Sequence, residues 1–124
     1  MTPTPFSALG PNAVIGIVGG GQLGRMSAMA AAKLGFKTHI LTQDPNGPAA
    51  QVSSGITLGA YDDLAVLEQF ARAVDVVTFE FENISADGLD CLAQHCPVRP
   101  SGAILRTSQD RAVEKTFLTQ AGVP

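Results

Sequence analysis

Gly19, Gly21 and Gly24 fall at the spacing G-x-G-x-x-G within Ile15-Gly16-Ile17-Val18-Gly19-Gly20-Gly21-Gln22-Leu23-Gly24-Arg25-Met26. An apolar run rich in β-branched residues passes into the glycines and then into an alanine-rich run. That order reads as strand, tight turn and helix N-terminus. Each glycine can serve a separate purpose, namely the sharp turn, backbone access for a ligand, and close contact between helix and strand. The first turn of such a helix leaves amides unpaired and carries partial positive charge, so the junction suits an anion. The same spacing also fits a parallel α/β domain whose glycines only turn the chain. A second candidate is Thr78-Phe79-Glu80-Phe81-Glu82-Asn83. If the strand continues there, alternation puts Glu80 and Glu82 on one side and Phe79 and Phe81 on the other. Like charges so close repel and need a partner, a donor or water, so the pair either serves a ligand or is solvated at a strand end. Asp44 follows Gly24 by twenty residues, where a nucleotide-binding fold would carry a ribose-binding acid, but it can equally form a local side-chain turn ahead of Pro45.

The elements that must position these residues alternate along the chain. Residues 1–12 hold Pro3, Pro5 and Pro11 without periodicity and read as a flexible lead, so the domain is expected over 13–124. Strands are expected at Val14 to Val18, Thr38 to Thr42, Ile56 to Leu58, Val74 to Phe79 and, briefly, Pro97 to Arg99. A helix from Gln22 to about Leu34 would bury Leu23, Met26, Ala30 and Leu34, and Gly35 would stop it. Gln43 to Pro48 is a loop, and Ala49 to Ser54 is irregular or weakly helical. Asp62 or Asp63 can cap a helix carrying Leu64, Leu67, Phe70 and Ala71 on one face, and Ser85 can cap another through about Gln94. His95 suits the end of that helix, where a cation favours the macrodipole. A last helix from Thr107 or Ser108 to Gln120 shows a capping-box pattern in Thr107 and Asp110.

The economical architecture is α/β, a Rossmann-like open parallel sheet with helices on both faces. Its strands present their C-terminal ends together, so the glycine turn and the Glu80 end share one edge.

Composition narrows the function classes. The chain has 124 residues, enough for one core but small for an enzyme enclosing two substrates. A net charge of -3 gives no electrostatic footprint for nucleic acid or an anionic membrane. Cys91 and Cys96 have no second Cys or His pair to complete a zinc site and read as reduced structural thiols. No stretch has the length and apolarity of a signal or membrane span, so a cytoplasmic location is expected.

Taken together, Gly19 to Met26, Asp44-Pro45 with Pro48-Ala49, Thr78 to Ile84, and Gln109-Asp110-Arg111 with Glu114-Lys115 and Gly122-Val123-Pro124 resemble the N-terminal (pre-ATP-grasp) domain of the 5-(carboxyamino)imidazole ribonucleotide synthase (PurK) family of the ATP-grasp superfamily. The resemblance implies an ATP-dependent carboxylase of purine biosynthesis. It would convert 5-aminoimidazole ribonucleotide, bicarbonate and ATP to the carboxyamino product, ADP and phosphate, through carboxyphosphate. It further implies that Gly20, Gly21, Gln22, Leu23, Glu80, Glu82 and Asn83 bind the ribonucleotide and that Arg111 lies near ATP. Exposed amides at a helix mouth and the Gln22 amide suit a nucleotide monophosphate. The glutamates suit ribose hydroxyls or the amine.

The same resemblance places the ATP-grasp domains after Pro124, so the groups that hold ATP and magnesium are expected outside this segment. No catalytic residue or metal ligand is expected within it, and alone it is expected to be inactive. It also implies a homodimer and no nucleic-acid or membrane partner. Three other readings stay open at this point: a dinucleotide-binding oxidoreductase module, another ATP-grasp carboxylase or transformylase, and a non-catalytic interaction domain.

Overall fold

The structure is a computed structural model and describes residues 8–80 and 84–124. The elements run β1 (Val14–Val18), α1 (Gln22–Lys33), β2 (Lys37–Thr42), β3 (Gly55–Leu58), α2 (Leu64–Arg72), β4 (Val76–Phe79), α3 (Ala86–Ala93), α4 (Gly102–Gln109) and α5 (Arg111–Gln120). Among the described residues the strands form one sheet in the order β3-β2-β1-β4, and every pairing is parallel. The expected strand at Pro97 to Arg99 is reduced to a bridge between Val98 and Val77 on the outer side of β4.

This order reverses at β1. The chain moves from β1 to β2 and β3, then crosses back to β4 on the other side. Right-handed crossovers in opposite directions put α1 on one face of the sheet and α2 on the other. Strand alternation matches this arrangement. Ile15, Ile17 and Ile40 pack with Ala28 and Ala49 on the α1 side. Val18, Leu41 and Val77 pack with Leu67, Phe70, Leu89, Leu92 and Leu105 on the opposite side. Both faces are covered at the central strands β1 and β2, which is why those strands read as nearly continuous apolar runs, whereas Ile56 and Leu58 of the edge strand β3 are exposed.

Helix starts follow local chemistry. Asp63 caps α2 by accepting from the amides of Ala65 and Val66 at 3.0 and 3.3 Å. Ser85 caps α3 by accepting from Gly88 at 2.9 Å. Gly88 costs helix propensity but is buried close to the carbonyl of Tyr61, where a Cβ would come within 2.6 Å of that oxygen.

Two expectations are corrected. The single helix over 107–120 is two helices, because Asp110 adopts an extended backbone (φ -114°, ψ 118°) that ends α4 and caps α5. Thr107 is therefore no cap. It lies inside α4, its hydroxyl bonded to the Ala103 carbonyl, and Ser101 is the residue that caps that helix. The face of α1 is also different. Leu23, Met26 and Leu34 are exposed, and the sheet-facing stripe is Gly24, Ala28 and Ala31. Small side chains let the helix backbone approach the strands, and that approach, rather than side-chain size, decides which face is buried.

Candidate functional site

The glycine turn leaves β1 with Gly19 at φ +116°, a conformation that L side chains rarely adopt. The turn is tied to its neighbours by Gly19 N donating to Leu41 O at 2.9 Å and by Ala49 N donating to Gly20 O at 3.1 Å. α1 begins at Gln22, and Gly24 in its first turn faces the end of β4. A Cβ on Gly24 would stand 2.8 Å from Glu80 Oε2 and 2.8 Å from the carbonyl of Gly19. Glycine is required there so that helix, turn and carboxylate can meet.

Glu80 directly follows β4, and Phe79 pairs with Val18 at the end of β1. The carboxylate thus lies between the C-terminal ends of β1 and β4, where the sheet order reverses. Open α/β sheets bind ligands at this switch point. Burial raises the Glu80 pKa, opposed by a weaker effect from a hydrogen bond with the Gly21 backbone. Oε2 is buried and has no hydrogen-bond partner among the described residues. A buried acceptor of this kind calls for a donor, from a ligand, from water or from its own protonation.

Gly20, Gly21, Gln22, Leu23 and Glu80 all line one cavity of about 610 Å³, together with Thr42, Gln43, Asp44, Gly47, Pro48 and Tyr61. Five of the seven residues that the resemblance gives to the ribonucleotide are therefore brought together, with Asp44 beside them. Glu82 and Asn83 lie outside the described residues. Arg111 opens α5, is exposed, and does not line this cavity.

The helix mouth differs from the simple expectation of an open anion site. The Glu80 carboxylate already lies against the first turn of α1 and uses part of its positive end. Phosphate placed directly against Glu80 would meet like charge. Asp44 makes a local turn, with Oδ1 accepting from Asn46 N at 2.9 Å, while Thr42 Oγ1 accepts from Asp44 N at 3.1 Å.

Tyr61 and Thr42 are wall residues that sequence reasoning did not single out. Tyr61 hydrogen-bonds Thr42, and its pKa is raised by burial first and by the nearby Glu80 charge to a lesser degree. The available signal was position: both lie at or just beyond the C-terminal ends of parallel strands, Thr42 closing β2 and Tyr61 shortly after β3.

Comparison with known proteins agrees with this fold. Residues 12–109 match the family described as ribonucleotide synthetase preATP-grasp domain. The chain is 49% identical over 117 residues to N5-carboxyaminoimidazole ribonucleotide synthase of Brucella melitensis, covering 94% of this chain and 32% of that protein. It superimposes with a TM-score of 0.88 on the Staphylococcus aureus N5-carboxyaminoimidazole synthetase complexed with ADP, at 39% identity, covering 94% of this chain and 31% of the other. The Aspergillus clavatus N5-carboxyaminoimidazole synthase, in complex with ADP and 5-aminoimidazole ribonucleotide, gives a TM-score of 0.83 at 34% identity and covers 91% of this chain and 30% of the other. The chain thus spans about a third of the length of these relatives. With the fold shared, and the family match running from the turn before β1 to the end of α4, the chain belongs to the ribonucleotide synthetase preATP-grasp domain family.

Proposed function

We propose that this chain is the substrate-binding N-terminal domain of an ATP-dependent carboxylase that acts on 5-aminoimidazole ribonucleotide, with residues 13–124 as one pre-ATP-grasp domain and the ATP-grasp domains elsewhere in the full-length protein. The observation that carries this reading is the position of Glu80. It is a half-buried carboxylate at the switch point, with one oxygen that has no partner among the described residues and a cavity beside it, in a chain of this family.

In the reaction, ATP phosphorylates bicarbonate to carboxyphosphate and leaves ADP. The exocyclic amine of the ribonucleotide then takes up the carboxyl carbon, phosphate departs and the amine loses a proton. The residues of this chain bind and orient. Glu80 accepts from a ribose hydroxyl or the amine, which places the neutral, donor-rich part of the ligand against the carboxylate and the phosphate away from it. Gly20, Gly21, Gln22 and Leu23 supply the wall at the start of α1, and the resemblance adds Glu82 and Asn83. Arg111 is assigned to ATP, where a permanently charged planar fork suits phosphate, and reaches it only in the assembled enzyme.

Among the described residues no three His, Cys, Asp or Glu side chains gather to hold a metal ion. Magnesium is assigned to the ATP-grasp domains on the strength of the resemblance alone. A cytoplasmic homodimer is part of the same proposal, and sedimentation of the full-length protein tests the dimer. No helix among the described residues is long and apolar enough to cross a membrane.

The deciding experiment measures ADP release by the full-length protein with the aminoimidazole ribonucleotide and bicarbonate supplied together and each omitted. Release that needs both supports the proposal. Release indifferent to the ribonucleotide, or tight NAD binding with no response to it, overturns the reading.

A further inference from the structure

Gln109 is the last residue of α4, and its side-chain amide donates to the backbone carbonyl of Ile84 at 2.8 Å. The two residues are 25 positions apart, so the bond joins separate parts of the fold. Ile84 is buried in the larger core cluster and stands immediately before the Ser85 cap of α3. It also lines, with Gln43, Tyr61, Asp62 and Ser85, a second cavity of about 360 Å³. That cavity shares Gln43 and Tyr61 with the one at Glu80, so the two adjoin.

The donor is presented from a firmly held element. Leu105 of α4 is buried, Ser101 caps the helix, and Arg106 bridges from α4 to Asp87 and Asp90 of α3 at 2.5 and 2.6 Å. On the other side, Glu80 is held by the pairing of Phe79 with Val18 and by the first turn of α1. The chain leaving β4 is thus anchored at Glu80 by the sheet and at Ile84 by Gln109.

We propose that Gln109 is a positioning residue for the ribonucleotide site, which fixes the Ile84 carbonyl and so keeps the second cavity in register with Glu80. The proposal rests on the functional reading above. Gln109 touches no reacting atom in this scheme. Its effect reaches the ligand through the backbone at Ile84, and the expected signature is a change in ribonucleotide affinity rather than in chemistry.

The test uses the full-length protein with Gln109→Met, which keeps length and loses the donor, and Gln109→Glu, which keeps shape and replaces the donor by an acceptor. Ser108→Ala is the control, since among the described residues that hydroxyl makes a local bond to the Leu105 carbonyl at 3.1 Å. Loss of the bond to the Ile84 carbonyl predicts a rise of about 3- to 10-fold in KM for the ribonucleotide in both Gln109 variants. The KM for ATP and kcat should change by less than about twofold, and Ser108→Ala should behave as wild type. Amide hydrogen exchange at the start of α3 should quicken in Gln109→Met.

Unchanged ribonucleotide KM in an enzyme whose wild type turns over overturns the positioning role alone. Equal effects on both KM values and kcat, with a fall in Tm, overturn it in favour of a general structural role. A wild type without ribonucleotide-dependent turnover overturns the functional reading and the positioning role with it.

Discussion

Glu80 Oε2 lies 2.8 Å from the point where a Cβ on Gly24 would stand, so the carboxylate occupies space that only a glycine in the first turn of α1 leaves open. The charge of β4's end is thereby placed against the positive end of a helix on the other side of the switch point. Under the proposed function, substrate recognition and close packing use the same contact.

Gly24→Ala would force both a carboxylate and the fixed Gly19 carbonyl to shift, with Ala49 also tight at 3.3 Å. The expected cost is about 1–3 kcal/mol, the range for overpacked sites. Chemical denaturation of the isolated domain checks the stability. In the full-length protein the ribonucleotide KM should rise while that for ATP holds.

Glu80→Gln separates binding from stability. Burial raises the Glu80 pKa, so the charged form is disfavoured in the folded state. Its penalty is absent below the unfolded carboxylate pKa and grows as pH rises toward the folded one. The glutamine variant should therefore have a higher Tm than wild type at pH 7, and the gap should close in acid. Ribonucleotide affinity should fall by about 10- to 100-fold, the size of a lost hydrogen bond to a charged group. A variant that binds as wild type does would remove Glu80 from the site.

His39 is expected to set an acid limit on the fold. On β2, its Nε2 is 2.7 Å from Thr57 Oγ1 of β3, and its ring lies 5.8 Å from that of Phe70. Burial lowers its pKa from the ordinary 6.5. No penalty exists above that value. As pH falls below it the unfolded chain takes up the proton first, and stability drops until the folded pKa is passed. Thermal melts from pH 7.5 downward should show this decline, and His39→Asn should flatten it.

Asp110→Ala removes the cap of α5, which accepts from Ala112 and Val113 at 2.8 and 3.2 Å. The expected loss is about 1 kcal/mol of local helix stability. No residue of α5 is buried, so the loss should appear as reduced helix signal with little change in the unfolding of the sheet.

The alternation of strands and helices, the glycine turn and the carboxylate after β4 were legible because each rests on local chemistry: β-branched runs, Gly conformations and caps at Asp63 and Ser85. The buried face of α1 was not legible in that way. Leu23, Met26 and Leu34 carry a helical apolar period, yet Gly24, Ala28 and Ala31 meet the sheet, since close approach selects small residues. The break at Asp110 was hidden because one acidic residue suits the interior of a capping pattern as well as a new cap.

By itself the sequence determined the four strands of the sheet, the helices α1, α2 and α3, the glycine turn and a carboxylate on the same edge, all of which depend on neighbours a few positions away. Only the tertiary structure decided that Glu80 lies against the first turn of α1, that Tyr61 and Thr42 complete the cavity, and that Gln109 reaches Ile84. Each of those relations joins residues far apart in the chain, and their partners are chosen by packing, which no local pattern encodes.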